Sequence, residues 1–359
     1  MRIRKCKVCG FPYWLARSLV WNGNGTITSK NRPDFRTLII EADYISEIFR
    51  KIEKALGVSI QHLVFEAQRN AAKDVIDGNI DRVRWAIRYV PGVRRLVITY
   101  FNRMASWTGQ GYAKTISYGK KGAGAAIIRN PFNKDLMSAV VVGALESLGE
   151  APYDYHWEKR DGDDVIVVEP TGEHPDISER LTYTTPPLLP GDRRYESCPG
   201  CGVPVLLNGM EWRENEGLMI DTKRGVRMVV AEIYTTGVVL RELARELGED
   251  VYPIIVDAQR EFSLEHIRGE FLSAPGPRED AGKDALYRDV LDSIALRGQG
   301  NPAIQEMDGG RLVIRVENPF DEHVLAGQLA ALYELAEGKR PRVSWEASGP
   351  STVVYTLTA

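Results

Sequence analysis

The chain has 359 residues, 43% of them hydrophobic and 26% charged, with a formal net charge of −3. That composition suits a globular protein with material for two ordinary domains, and it excludes a chain-wide polycation of the kind that coats nucleic acid. No run approaches the roughly 20 apolar residues of a membrane-spanning helix, and no apolar stretch follows the basic start of the chain, so a cytoplasmic location is expected.

In chain order, the first feature is Cys6-Lys7-Val8-Cys9-Gly10. A hairpin follows: apolar residues 19–21, the turn Asn22-Gly23-Asn24-Gly25, then residues 26–27, with glycine supplying the positive φ of a tight turn. Isoleucines and leucines at three- and four-residue steps predict a helix over Tyr44–Leu56, stopped by Gly57. A second helix runs through Phe65-Glu66-Ala67-Gln68-Arg69. Beyond Gly109-Gln110-Gly111, a strand over 125–128 leads into Arg129-Asn130-Pro131-Phe132-Asn133. Asn133 is placed to cap the next helix, with Phe132 and Met137 as a hydrophobic staple. That helix reaches about residue 148, and two strands over 153–158 and 165–168 close the unit.

The same landmarks then recur. Cys198-Pro199-Gly200-Cys201-Gly202 opens a second copy, with a hairpin over 210–212 and 218–220 and a helix from 234 to 247 stopped by Gly248. Next come Val256-Asp257-Ala258-Gln259-Arg260, Gly298-Gln299-Gly300 and a strand over 312–316. Glu317-Asn318-Pro319-Phe320-Asp321 follows, with Asp321 as cap and Phe320 and Leu325 as staple. A helix to about 335 and strands over 343–346 and 353–357 close this copy. Asn130 and Asn318, like Trp157 and Trp345, stand 188 positions apart. We read residues 1–168 and 198–359 as two homologous tandem domains joined by a Pro-rich linker, 169–197. The class is α+β: in each copy a helical cluster packs on a small antiparallel sheet, and a pseudo-twofold relates the copies, each opening on a C-x-x-C knuckle.

The run of helix, glycine stop, helix, strand, Asn-Pro-Phe, helix, strand and Trp-Glu resembles the 4-vinyl-reductase-type small-molecule-binding domain. That family shares its fold with a subunit class of the TRAPP vesicle-transport complex. The resemblance implies a ligand-binding sensor or accessory domain, often with a cysteine-ligated zinc. Family cysteines usually lie near the C-terminal end of the domain, whereas these knuckles are N-terminal, so no metal ligand is carried over from it.

The cysteines carry their own chemistry. Cys6, Cys9, Cys198 and Cys201 are the only four in the chain, and neither pair alone can close a tetrahedral site. The five histidines, His62, His156, His174, His266 and His323, stand at no ligand spacing from them. Two knuckles meeting near the pseudo-twofold would form one structural zinc site with four cysteine ligands. Iron is the alternative, and unmetallated thiol pairs or a redox dithiol are the competing readings.

Residues 82–121 contain no Asp or Glu and nine Lys and Arg, interleaved with aromatics. The matching part of the second copy carries Glu270, Glu279, Asp280, Asp284, Asp289 and Asp292. Four readings compete: a small organic ligand, anionic or apolar; single-stranded nucleic acid; an anionic membrane surface; or a solvated cationic face docked on the acidic copy. For a ligand site we select Tyr100, Trp107 and Tyr112, with Arg88. Glu66 with Arg69, and Asp257 with Arg260, read as local i, i+3 ion pairs. No P-loop, dinucleotide fingerprint or nucleophile–base set is visible. The functional expectation is a zinc-containing small-molecule-binding or sensory accessory protein. The alternatives are a protein-interaction scaffold, with a protein partner or a second copy of the chain, and an enzyme acting on an acyl or aromatic substrate.

Overall fold

The computed structural model describes residues 3–119, 122–149, 151–172, 177, 180–271 and 280–359; Lys120, Lys121, His174 and Glu279 lie outside them, as does the side chain of Asp280. The first half runs α1 (Tyr13–Ser18), β1 (Leu19–Trp21), β2 (Ile27–Ser29), β3 (Arg36–Glu41), α2 (Tyr44–Leu56) and α3 (Gln61–Ile80). It continues α4 (Arg84–Tyr89), α5 (Val93–Trp107), β4 (Tyr112–Tyr118), β5 (Gly124–Arg129), α6 (Lys134–Gly149), β6 (Tyr153–Arg160) and β7 (Asp163–Pro170). The second half runs β8 (Met210–Arg213), β9 (Leu218–Asp221), β10 (Val226–Glu232), α7 (Tyr234–Leu247), α8 (Val251–Phe271) and α9 (Asp280–Leu296). It ends β11 (Asn301–Asp308), β12 (Arg311–Glu317), α10 (Glu322–Glu337), β13 (Arg342–Ala347) and β14 (Thr352–Thr358).

The mixed helix-and-antiparallel-sheet class expected from the sequence is what the chain adopts. Gly57 ends α2 at φ 69°, and Asp321 caps α10 by accepting from the His323 and Val324 N–H groups. Asn133 likewise accepts from Leu136 N–H at 2.8 Å. Phe320 and Leu325 share one core cluster, whereas Phe132 packs on that cluster and Met137 belongs to another.

Two four-stranded sheets have the matching orders β4-β5-β7-β6 and β11-β12-β14-β13. Each carries a register shift in its first strand, between Thr115 and Ser117 and between Ile304 and Glu306. The third sheet, β1-β2-β3-β10-β9-β8, draws three strands from each half. Its middle pair is antiparallel with Ile39 opposite Val230, flanked by Leu38 opposite Ala231 and Ile40 opposite Val229. Both faces of this pair are covered. Leu38, Ile40, Val229 and Ala231 join the large cluster under the helices, while Ile39, Met228 and Val230 join the cluster next to the cysteines. Double-sided burial turns the strands into continuous apolar runs without a period of two, so sequence periodicity does not flag them.

The halves interlock. α2 lies against α8 and α7 against α3, with Tyr44 meeting Phe262 edge-on at 5.2 Å. The Gly-Gln-Gly and Asn-Pro-Phe motifs form sockets for the opposite half. Arg36 on β3 is buried and donates to the carbonyls of Gly298 (3.3 Å), Asn318 (2.8 Å) and Pro319 (3.3 Å). Arg227 on β10 donates to the carbonyls of Gly109 (2.8 Å), Asn130 (2.6 Å) and Pro131 (3.2 Å). Asn130 and Asn318 turn these carbonyls outward from left-handed backbone, at φ 48° and 52°. Each hairpin turn also crosses over. A Cβ on Gly25 would lie 2.1 Å from the Gly300 oxygen, and one on Gly217 would lie 2.0 Å from the Gly111 backbone, so only glycine fits at either turn. The described part of the 169–197 segment touches both halves: Leu189 N–H donates to the Asn318 side chain, the Leu189 carbonyl accepts from Asn24, Arg193 N–H donates to the Gly23 carbonyl, and Leu181 enters the large cluster.

Candidate metal centre and ligand cleft

Each C-x-x-C pair sits in a miniature hairpin. Cys6 N–H donates to Phe11 O and Gly10 N–H to Cys6 O; Cys198 N–H donates to Val203 O and Gly202 N–H to Cys198 O, all at 2.8–2.9 Å. The central sheet brings the two hairpins together. Cys6 Sγ lies 3.9 Å from Cys198 Sγ and Cys9 Sγ lies 3.4 Å from Cys201 Sγ, and all four sulfurs fall within 4.8 Å of one another. A tetrahedral ion with metal–sulfur bonds of ~2.3 Å holds its sulfurs roughly 3.8 Å apart, so the four fit a single ion. None of the four is in a disulfide. Cys6 and Cys198 are buried, Cys9 and Cys201 half-buried. A Cβ on Gly200 would stand 2.7 Å from Cys6 Sγ, so close approach of the knuckles needs glycine there. The Cys9 backbone N–H pulls the Cys6 thiol down to about 6, whereas burial pushes Cys9 up to about 12. A bound cation would supply the charge that holds four thiolates side by side.

The second feature is a cleft on the first half between α5, α6 and the β4-β5-β7-β6 sheet. Its inner part is an apolar pocket of about 100 Å³, lined by Phe101, Met104, Ala126, Val141 and Ala144 among others. Beside it lies a groove of about 510 Å³ bordered by Arg95, Arg103 and Lys114, with Glu214 and Asn215 of the second half also lining it. Glu214 is engaged there, accepting from Ile3 N–H at 2.7 Å. Ile98, Asn102, Ala113, Thr115, Ser117 and Tyr118 line both compartments, and the Asn102 amide donates to Thr115 Oγ1 at 2.9 Å between them. The pocket has a sequence cause. At the places 188 residues on from Ala126, Val141 and Ala144, the second half carries Ile314, Leu329 and Leu332, all fully buried.

The selected ligand residues separate. Trp107 and Tyr112 line the groove, and the Arg129 guanidinium lies 5.8 Å from the Tyr112 ring centre. Tyr100 turns away to meet Trp14 edge-on at 6.0 Å, and Arg88 sits on α4 over the Tyr89 ring. Neither borders this groove. Arg95, Arg103 and Lys114 do, and the acid-free stretch was the signal that contained them.

The i, i+3 pairs are larger than the sequence implied. Arg69 is buried between Glu66 (3.0 Å) and Glu146, and Arg260 joins Asp257 (3.0 Å) to Glu334 (2.8 Å). They tie α3 to α6 and α8 to α10. A third cluster, unseen in the sequence, centres on Glu41 with Arg224 at 2.8 Å and Arg297 at 2.9 Å. Burial would raise the Glu41 pKa, but the two guanidinium groups outweigh it and hold the carboxyl at about 2.

No protein-family model matches the chain, and no curated protein matches it either. Among the described residues no helix is long and apolar enough to cross a membrane.

Proposed function

We propose that this protein is a duplicated small-molecule-binding protein whose two halves are pinned by one structural zinc ion on Cys6, Cys9, Cys198 and Cys201. The observation that carries the binding function is the two-part cleft of the first half. Its shape suits a small organic anion. An acyl or aromatic end occupies the apolar pocket, and a carboxylate, phosphate or thioester-bearing end lies among Arg95, Arg103 and Lys114. The duplication is supported by the matched sheet orders and bulges, by the Ile39–Val230 register, and by the paired sockets of Arg36 and Arg227. The same order of elements supports kinship with the 4-vinyl-reductase-type domain. Zinc is favoured over iron because a closed set of four thiolates with no open position suits a structural ion.

Two measurements test the reading separately. Elemental analysis should give one zinc per chain, falling below about a tenth of that in Cys198→Ser, with a loss of several kcal/mol of stability. Iron in its place, or two ions per chain, rejects the shared zinc. For the cleft, butanoyl coenzyme A and free butanoate are titrated calorimetrically. Binding of either that weakens at least ~10-fold in Arg103→Glu is expected. Titrations silent for both, or indifferent to Arg103, reject this ligand class.

A further inference from the structure

The hairpin tip formed by α4, the Tyr89–Val93 connection and the start of α5 has an unusually apolar surface. Trp85 is 64% exposed, Tyr89 71% and Leu96 69%. All seven tryptophans lie among the described residues, and the other six are buried or half-buried. Large apolar side chains are costly to leave in water, and here they cluster within a dozen residues. Arg82, Arg88 and Arg95 are exposed among them. Asp81 is the nearest acid in the sequence, and none follows it for the remainder of the acid-free stretch. Of the neighbouring cations, Arg84 is paired with Asp77 and Arg94 donates to the Leu148 carbonyl, so both act inward.

We propose that this tip docks on an anionic lipid surface. Exposed tryptophan, tyrosine and leucine side chains at one helical connection match the interfacial layer of a bilayer, where amphipathic rings settle at headgroup depth. The arginines around them match anionic headgroups by charge. Nucleic acid fits less well: the aliphatic Leu96 and Val90 offer nothing to stack on a base, and Trp85, Tyr89 and Leu96 line neither the groove nor the apolar pocket of the first half. A protein partner would need a broader complementary face than one helical turn provides. Docking would be peripheral and does not depend on the ligand proposed for the cleft.

The test is sedimentation of the full chain with vesicles of phosphatidylcholine containing about 30% phosphatidylserine, against vesicles of phosphatidylcholine alone, at about 0.1 M salt. Partition into the anionic vesicles should exceed that into neutral ones at least ~10-fold and fall with added salt. The double variants Arg82→Glu/Arg88→Glu and Trp85→Ala/Leu96→Ala should each lower it at least ~10-fold while melting as the unaltered protein does. No capture by anionic vesicles, equal capture by both kinds, or capture unchanged in Trp85→Ala/Leu96→Ala would overturn the proposal. So would capture of single-stranded oligonucleotide, but not of vesicles, by the same tip.

Discussion

α5 and α9 occupy corresponding places beside sheets of the same strand order, yet they are packed differently. α9 buries Leu286, Tyr287, Val290, Leu291, Ile294, Ala295 and Leu296, most of them in the large core cluster. α5 buries only Phe101, Ala105 and Ser106 and leaves Leu96 to solvent. The sheets, the capped helices and the arginine sockets are shared, so the architecture does not require a tightly packed helix at this place. What differs is side-chain volume on the facing elements. Ala126 and Ala144 leave a space that Ile314 and Leu332 fill on the other side. Smaller side chains, rather than a different fold, account for the cavity, because dense interiors leave few voids where the facing side chains are large.

The contrast is broken most forcefully in the packed half. Leu286→Ala in α9 should cost about 2–5 kcal/mol in denaturant unfolding, while Leu96→Ala at an exposed position of α5 should stay within ~0.5 kcal/mol. Comparable losses at the two positions would mean that α5 is as deeply packed as α9. Acid should expose the ion cluster around Glu41 next. Glu41 has a folded pKa below its unfolded one, so its contribution, on the order of 3 kcal/mol, is complete above about pH 4.5 and drains away as the pH falls toward 2. Glu41→Gln should flatten that part of the stability profile. Glu232, opposite Thr37 across the same strand pair, is half-buried and its pKa is raised by desolvation; it accepts from the Thr235 N–H rather than from an arginine. An ionised carboxyl whose folded pKa is raised opposes folding and relieves that cost as the pH falls, so Glu232→Gln should steepen the acid limb slightly rather than flatten it. The finest change sharpens the comparison by making one side resemble the other. Ala144→Leu should alter stability by less than ~1.5 kcal/mol and abolish calorimetric binding of the acyl ligand. Unchanged binding would place the ligand elsewhere.

Much of this was legible in the sequence, for reasons specific to each element. Helix ends were readable because Gly57 and Asp321 act locally, through backbone torsion and capping. The cysteines were readable because four thiols in two spaced pairs have few uses. β3 and β10 were not readable: they are covered on both faces, and the residues that cover them come from distant parts of the chain. β4 and β11 escaped for a different reason: each has one exposed edge and a bulge, which disrupts alternation. Arg36 carries no signal in the sequence, since its partners are backbone carbonyls in the other half, at Gly298 and Asn318. The ligand-site choice took aromatic residues one at a time. Only the fold shows that Tyr100 packs against Trp14 while Arg103 borders the groove.

The crossed sockets bear on how this chain can change over time. A guanidinium on one half is held by a bend in the other, so neither half is free to drift alone. A substitution at Asn318 is felt at Arg36, and one at Asn130 at Arg227. Loss of either arginine strands three carbonyls in the opposite half. Fragments made by cutting within the 169–197 segment would each present an empty cradle shaped for the missing piece, so the two pieces should reassemble when mixed and remain incomplete when kept apart.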